Sequence, residues 1–151
     1  AITGISYTKD IAKITVIGVK DKPGVASEMF KSLKEINLDM IVQSSSADGG
    51  ETDITFTIKK EDIKKSINLL KKNKKISYEK IFQNDKVSKV SVVGAGMITQ
   101  PGVAQKFFNA LAKKRINIMV ISTSEIKISV LIDQQHTNKA VKLLHKEFDL
   151  E

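Results

Sequence analysis

The chain has 151 residues, of which 41% are hydrophobic and 28% charged, a composition suited to one globular domain or two small ones sharing a core. It contains no cysteine, which excludes disulfides and thiolate chemistry and makes the cytoplasm the default compartment. No apolar run approaches the roughly 18 residues of a membrane span, and the opening AITGISYTKD lacks the basic-then-apolar layout of a signal peptide. The net charge of +8 raises nucleic acid as a partner, yet of 25 basic residues only Arg115 is arginine, and aromatics are 5% of the chain.

In chain order, AITGISYT (1–8) alternates like a strand, and IAKITVIG (11–18) is a β-branched run ending in glycine. Pro23-Gly24-Val25-Ala26 then opens a helix whose apolar face is Ala26, Met29, Phe30 and Leu33, spaced i, i+3, i+4 and i+7. Proline fits the first helical turn, where its missing N–H costs nothing. Two further strands follow, INLDMIVQSSS (36–46) and TDITFTI (52–58), around the turn signal Asp48-Gly49-Gly50. A second amphipathic helix covers about 61–73, and ISYEKIF (76–82) is a predicted fourth strand.

The same order then begins again. VSKVSVVG (87–94) mirrors IAKITVIG, and Pro101-Gly102-Val103-Ala104 mirrors the first junction. A helix follows with Ala104, Phe107, Phe108 and Leu111 on one face, then the strands INIMVISTS (116–124) and IKISVLI (126–132), then a helix at about 137–148. Each copy reads β-α-β-β-α. The first gains a fourth strand and the ferredoxin-like βαββαβ order; the second has none left. The N-terminal strand is therefore predicted to complete the second sheet, with the first copy inserted into the second. The expected division is 10–84 for one unit and 1–9 with 85–151 for the other. The fold class is α+β, two antiparallel sheets each with helices on one face.

The candidate chemistry lies at the repeated junctions. The first N–H groups of a helix have no intrahelical partner, and with the positive end of the helix dipole they can hold a carboxylate. The alternative is an ordinary helix start. IVQSSS (41–46) and ISTSE (121–125) bring hydroxyls, an amide and Glu125 to strand ends, where they suit a zwitterion or, equally, turn chemistry. GAGM (94–97) is not a dinucleotide motif, since the third glycine position is Thr99 and no acidic ribose anchor follows. His136 and His145 read as exposed residues of a polar tail. No catalytic constellation is evident, and no metal or cofactor is called for. The lysine-rich stretch 59–75 reads as a solvated helix face, with a nucleic-acid-binding module as the alternative.

The set ITGI (2–5), DKPG (21–24), LDMIVQ (38–43), TDITFT (52–57), KVSVVGAGM (89–97), PGV (101–103) and STSEIKISVLI (122–132), in this order, resembles the tandem ACT domains of the aspartokinase regulatory region. The resemblance runs over nearly the whole chain. It implies a homodimer, a separate kinase domain or catalytic subunit that phosphorylates aspartate with ATP, no activity in these residues alone, and feedback by threonine, lysine or both at ACT–ACT interfaces. A threonine-type pocket is carried over onto Asp21, Pro23, Gly24, Val25, Ala26 and Gln43, completed by Asn117 and Ile118. A lysine-type pocket is carried over onto Asp39, Met97, Val103, Ala104, Ser124 and Glu125. The sequence departs from one known form of the second pocket at Ala104, where a threonine can occur. No nucleic acid, membrane or cofactor is implied.

Overall fold

The structure is a computed structural model that describes residues 2–45, 49–94 and 102–150. Alternating β-branched residues form strands, and 3.6-residue apolar periodicity forms helices, in two successive sets. The elements are β1 (Ile2–Thr8), β2 (Ala12–Lys20), α1 (Val25–Ser32), β3 (Ile41–Ser45), β4 (Glu51–Ile58), α2 (Ile63–Lys72), β5 (Lys80–Asn84), β6 (Val87–Gly94), α3 (Val103–Lys113), β7 (Val120–Thr123), β8 (Lys127–Asp133) and α4 (Thr137–Glu147). Short 3₁₀ turns lead into α2 and α4.

Contacts divide the chain into Asp10–Asp85 and a second unit made of Ala1–Lys9 and Lys86–Glu151. The first unit has sheet order β3-β4-β2-β5 and the second β1-β6-β8-β7. These are the same ferredoxin-like order, with β1 taking the place that β5 holds in the first sheet. β1 runs antiparallel to β6, from Ile2 opposite Gly94 to Thr8 opposite Lys89. The first unit is thus inserted into the second.

Strand alternation decides which face meets the helices. In the first unit Ala12, Ile14 and Val16 of β2, with Ile54, Phe56 and Ile58 of β4, are buried with Met29 and Leu33 from the first helix and the turn after it, and Leu70 of α2. Phe30 meets the Phe56 ring edge-on at 6.4 Å between centroids. The second core repeats this with Val90, Val92, Ile128, Val130 and Ile132 beneath Phe107, Leu111, Ala140 and Leu144. The apolar stripe of α2, Ile63, Ile67 and Leu70, is packed on the first core. Lys64, Lys65, Lys71 and Lys72 are exposed on the solvent side, where Lys65 meets Glu35 at 3.4 Å.

The predicted fourth strand needs correction. Residues 76–79 are not strand; Ile76 is buried in the core, and regular pairing starts at Lys80. The cause is a bulge in β2 between Val16 and Val19. Gly18 sits there at φ 69°, its N–H donating to Asp53 Oδ1 at 3.0 Å. A Cβ on Gly18 would lie 2.9 Å from Glu79 Cβ, so only glycine permits this approach. Beyond the bulge isolated bonds tie the segment to β2, Glu79 N–H to the Ile17 carbonyl at 2.8 Å and Lys20 N–H to the Ser77 carbonyl at 3.2 Å.

The repeat also exposes two polar irregularities. Ser66 of α2 occupies the position of Ala140 in α4, and Ser88 of β6 that of Ala12 in β2; all four are fully buried. Both serine hydroxyls are buried without a hydrogen-bond partner among the described residues. A buried unpaired hydroxyl costs about 1–3 kcal/mol, and the sister unit already accepts a methyl at each place. Ser66→Ala and Ser88→Ala should each raise stability by about 1 kcal/mol in urea denaturation. A loss of stability at both positions would show that the hydroxyls are satisfied.

Candidate functional site

The chain leaving β2 is pinned before it enters α1. The Asp21 N–H donates to the Gly50 carbonyl at 3.0 Å, fastening this loop to the β3–β4 connection. Lys22 to Val25 then closes as a β-turn, with the Val25 N–H on the Lys22 carbonyl at 3.2 Å. Gly24 has φ 89° and ψ −5°, the third position of a type II turn, and Pro23 fills the second position, which proline favours. The expectation of Pro23 as the first helical residue is therefore corrected. Proline precedes the cap, the left-handed glycine is the cap, and the helix starts at Val25.

The second unit builds the same entry. Gly102 caps α3 at φ 90° and ψ −12°. The Glu28 N–H donates to the Gly24 carbonyl and the Lys106 N–H to the Gly102 carbonyl, both at 2.9 Å. Neither cap offers a side-chain acceptor to the first N–H groups. In α1 the Val25 N–H is used by the turn, while those of Ala26 and Ser27 find no acceptor among the described residues. Of the expected donors at Gly24, Val25 and Ala26, the Val25 N–H is thus taken by the turn, and Ser27 joins Ala26 as a helix donor without an acceptor among the described residues. A Cβ at Gly24 or Gly102 would meet nothing within 4 Å, so the space beside each cap is open.

Beside the first cap lie the ends of β3 and β4. Ser45 Oγ donates to Asp21 Oδ2 at 3.3 Å, and Thr52 Oγ1 donates to the Ser44 carbonyl at 2.9 Å. A cleft of about 360 Å³ is lined by Ser44, Ser45, Gly49, Glu51, Thr52 and Asp53. Gln43 is exposed on β3, two residues from Ser45 and so on the same strand face. Main-chain donors at the head of α1 suit a carboxylate. Asp21 and the hydroxyl-lined strand ends suit an ammonium and a small polar side chain.

In this unit the structure brings together Asp21, Pro23, Gly24, Val25 and Ala26 on one loop-to-helix junction, with Ser45 bridging it to β3. Ser45, Glu51 and Thr52 were not singled out as site residues. The IVQSSS motif held the signal for Ser45, because strand parity places it with Gln43. Asp39 is exposed just before β3, its N–H donating to the Thr57 carbonyl at 3.0 Å.

In the other unit Asn117 is exposed in the connection from α3 to β7, and Ile118 packs partly buried on that unit's core. Val103 and Ala104 form the first turn of α3 and also pack on that core. Ser124 is engaged in the β7–β8 turn. Its N–H donates to the Lys127 carbonyl at 2.8 Å, and its Oγ accepts from Ile126 at 3.4 Å and Lys127 at 3.2 Å. Turn chemistry therefore accounts for this hydroxyl's acceptor side, and Glu125 is exposed beside it at the turn. Met97 lies outside the described residues. Among the described residues no group of His, Asp or Glu could hold a metal ion, and no helix is long and apolar enough to cross a membrane.

The family model for the ACT domain matches twice, over residues 14–73 and 90–148. An aspartokinase of Corynebacterium efficiens is 45% identical over 153 residues, covering 99% of this chain and 36% of its own length. The chain thus spans a little over a third of that relative. Among solved structures, one described as aspartokinase alpha and beta subunits superposes with a TM-score of 0.90 at 44% identity, covering 99% of this chain and 100% of that one. The ligand-free regulatory subunit of aspartate kinase from Thermus thermophilus does so with a TM-score of 0.90 at 34% identity, covering 98% and 99%. Two matched ACT units, one junction built twice, and full-length likeness to a regulatory subunit lead to one assignment: the chain belongs to the ACT-domain regulatory region of the aspartokinase family.

Proposed function

We propose that these two units form a cytoplasmic amino-acid sensor that binds threonine, lysine or both and sets the activity of an aspartate kinase domain or subunit. The observation that carries this reading is the helix entry at Gly24, which has no side-chain cap. Two N–H donors there lack acceptors among the described residues, with a carboxylate and strand-end hydroxyls alongside. An α-amino acid has the matching groups, an anion for the helix end and a cation for Asp21. The acidic Glu125 would suit a cationic side chain in a second site. Within a homodimer, an effector would act by favouring one arrangement of the chains, and its influence on the kinase cannot exceed its differential affinity for the two arrangements. A coupling of about 1–3 kcal/mol is typical of such systems.

Calorimetric titration with each amino acid tests the reading directly. Threonine, lysine or both should give saturable heat. Silence from both well above the millimolar range, about 4 kcal/mol of binding free energy, would count against it.

A sharper comparison uses Gly24→Asn and Gly24→Asp. Both residues tolerate the left-handed conformation, and nothing crowds a side chain there, so they differ chiefly in charge. The asparagine variant should keep threonine binding within a few-fold. The aspartate variant should lose about tenfold or more, roughly 1.4 kcal/mol, because its carboxylate competes for the same donors. Equal affinities in the two variants would remove the helix-end site.

A further inference from the structure

α1 is a two-turn helix of eight residues whose cap glycine offers no side chain, so its first turn is oriented by what it packs against. On one side that is the apolar core beneath Val25 and Met29. On the other it is held by hydrogen bonds from Asn73, the C-cap of α2. Asn73 Nδ2 donates to Glu28 Oε1 at 3.0 Å and to Ser32 Oγ at 2.7 Å. The Ser32 hydroxyl in turn donates to the Glu28 carbonyl at 3.3 Å. Asn73 Oδ1 accepts the Lys75 N–H at 3.0 Å. Each hydrogen of the amide is used, and the orientation is unambiguous, because a flipped amide would set its oxygen against the Glu28 carboxylate.

The second unit makes the same link with unlike chemistry. Lys106 stands where Glu28 does in the repeat, and its Nζ lies 5.0 Å from the ring centroid of Phe148, the C-cap of α4. In both units a charged residue at the fourth position of the first helix, in its opening turn, contacts the C-cap of the second helix. Two unrelated contacts at equivalent places indicate that the anchoring itself matters.

We propose that Asn73 is a positioning residue for effector binding. It fixes the direction of the α1 donors and turns the Glu28 carboxylate onto α2, away from the N-terminal end that would otherwise attract it. Asn73 touches no effector. It keeps the Ala26 and Ser27 donors available to an incoming carboxylate and free of competition from the helix's own. This inference rests on the reading under Proposed function.

The test uses the whole chain with Asn73→Ala, Asn73→Asp and the pair Glu28→Gln with Asn73→Asp, and two readouts. The first is calorimetric affinity for L-threonine. The alanine variant should bind about three- to tenfold more weakly and the aspartate variant more weakly still, since a second carboxylate would face Glu28. The exchanged pair, in which a glutamine amide donates to an aspartate, should return affinity to within about twofold of wild type. The second readout is amide hydrogen exchange without ligand. In Asn73→Ala the Met29 and Phe30 amides of α1 should exchange at least about tenfold faster, while Phe107 and Phe108 of α3 stay unchanged.

Faster α1 exchange with unaltered threonine affinity would make Asn73 merely structural and overturn the proposal. Failure of the exchanged pair to restore binding would overturn the part played by Glu28. If wild type binds neither threonine nor lysine, the sensor reading itself fails. Unchanged α1 exchange would in that case also refute the anchoring.

Discussion

A peptide leaving a strand and entering a helix within four residues has to reverse its direction, and here one backbone conformation does it. The type II turn at Lys22–Val25 requires a residue with φ near +90° in its third position, which glycine adopts without strain and other residues adopt at a cost of about 1–2 kcal/mol. With that conformation fixed, the Gly24 carbonyl points into the helix to receive Glu28, and the preceding loop reaches the Gly50 carbonyl. The donors at Ala26 and Ser27 then point outward. Nothing in α1 compensates for the missing side-chain cap. The availability of those donors is thus a direct result of using glycine where serine or aspartate would normally close the helix end.

The two units share backbone geometry and diverge in charge. The cap angles differ by only a degree in φ, 89° against 90°. Yet Glu28 corresponds to Lys106 in the repeat, and Asp53 to Lys127. The first unit gathers carboxylates around its helix entry, with Asp21 on the loop and Glu51 and Asp53 in the cleft. The second carries a lysine in the opening turn of α3. Duplication preserved what the fold needs to turn the corner and released what faces the solvent, so the two helix entries differ in electrostatic character.

Much of this was legible in the residues. The runs IAKITVIG and VSKVSVVG announce buried central strands because β-branched alternation has few other uses, and the strand count alone required residues 2–8 to enter the second sheet. What stayed hidden depended on tertiary geometry. ISYEKIF has the alternation of a strand, but Ile76 is taken by the core and Gly18 breaks the ladder opposite Glu79, so pairing begins only at Lys80. Pro-Gly is equally compatible with a helix start and a type II turn, and only the sign of φ at Gly24 distinguishes them. Asn73 carried no local signal, because its partners Glu28 and Ser32 lie more than forty positions earlier in the chain.

The insertion of one unit within the other has a kinetic side. Pairing β1 with β6 joins residues separated by some eighty positions, and closing a loop of that length in a disordered chain costs on the order of 4 kcal/mol in entropy. The inserted unit brings its own ends together, since Lys13 of β2 lies opposite Asn84 of β5. Once that sheet has formed, Thr8 and Lys89 are each only five residues from a paired neighbour, and most of the closure penalty has been met. The folded insert thus acts as a clasp that brings β1 and β6 of its host sheet within reach of each other, and an unfolded insert would leave β1 far along the chain from its partner.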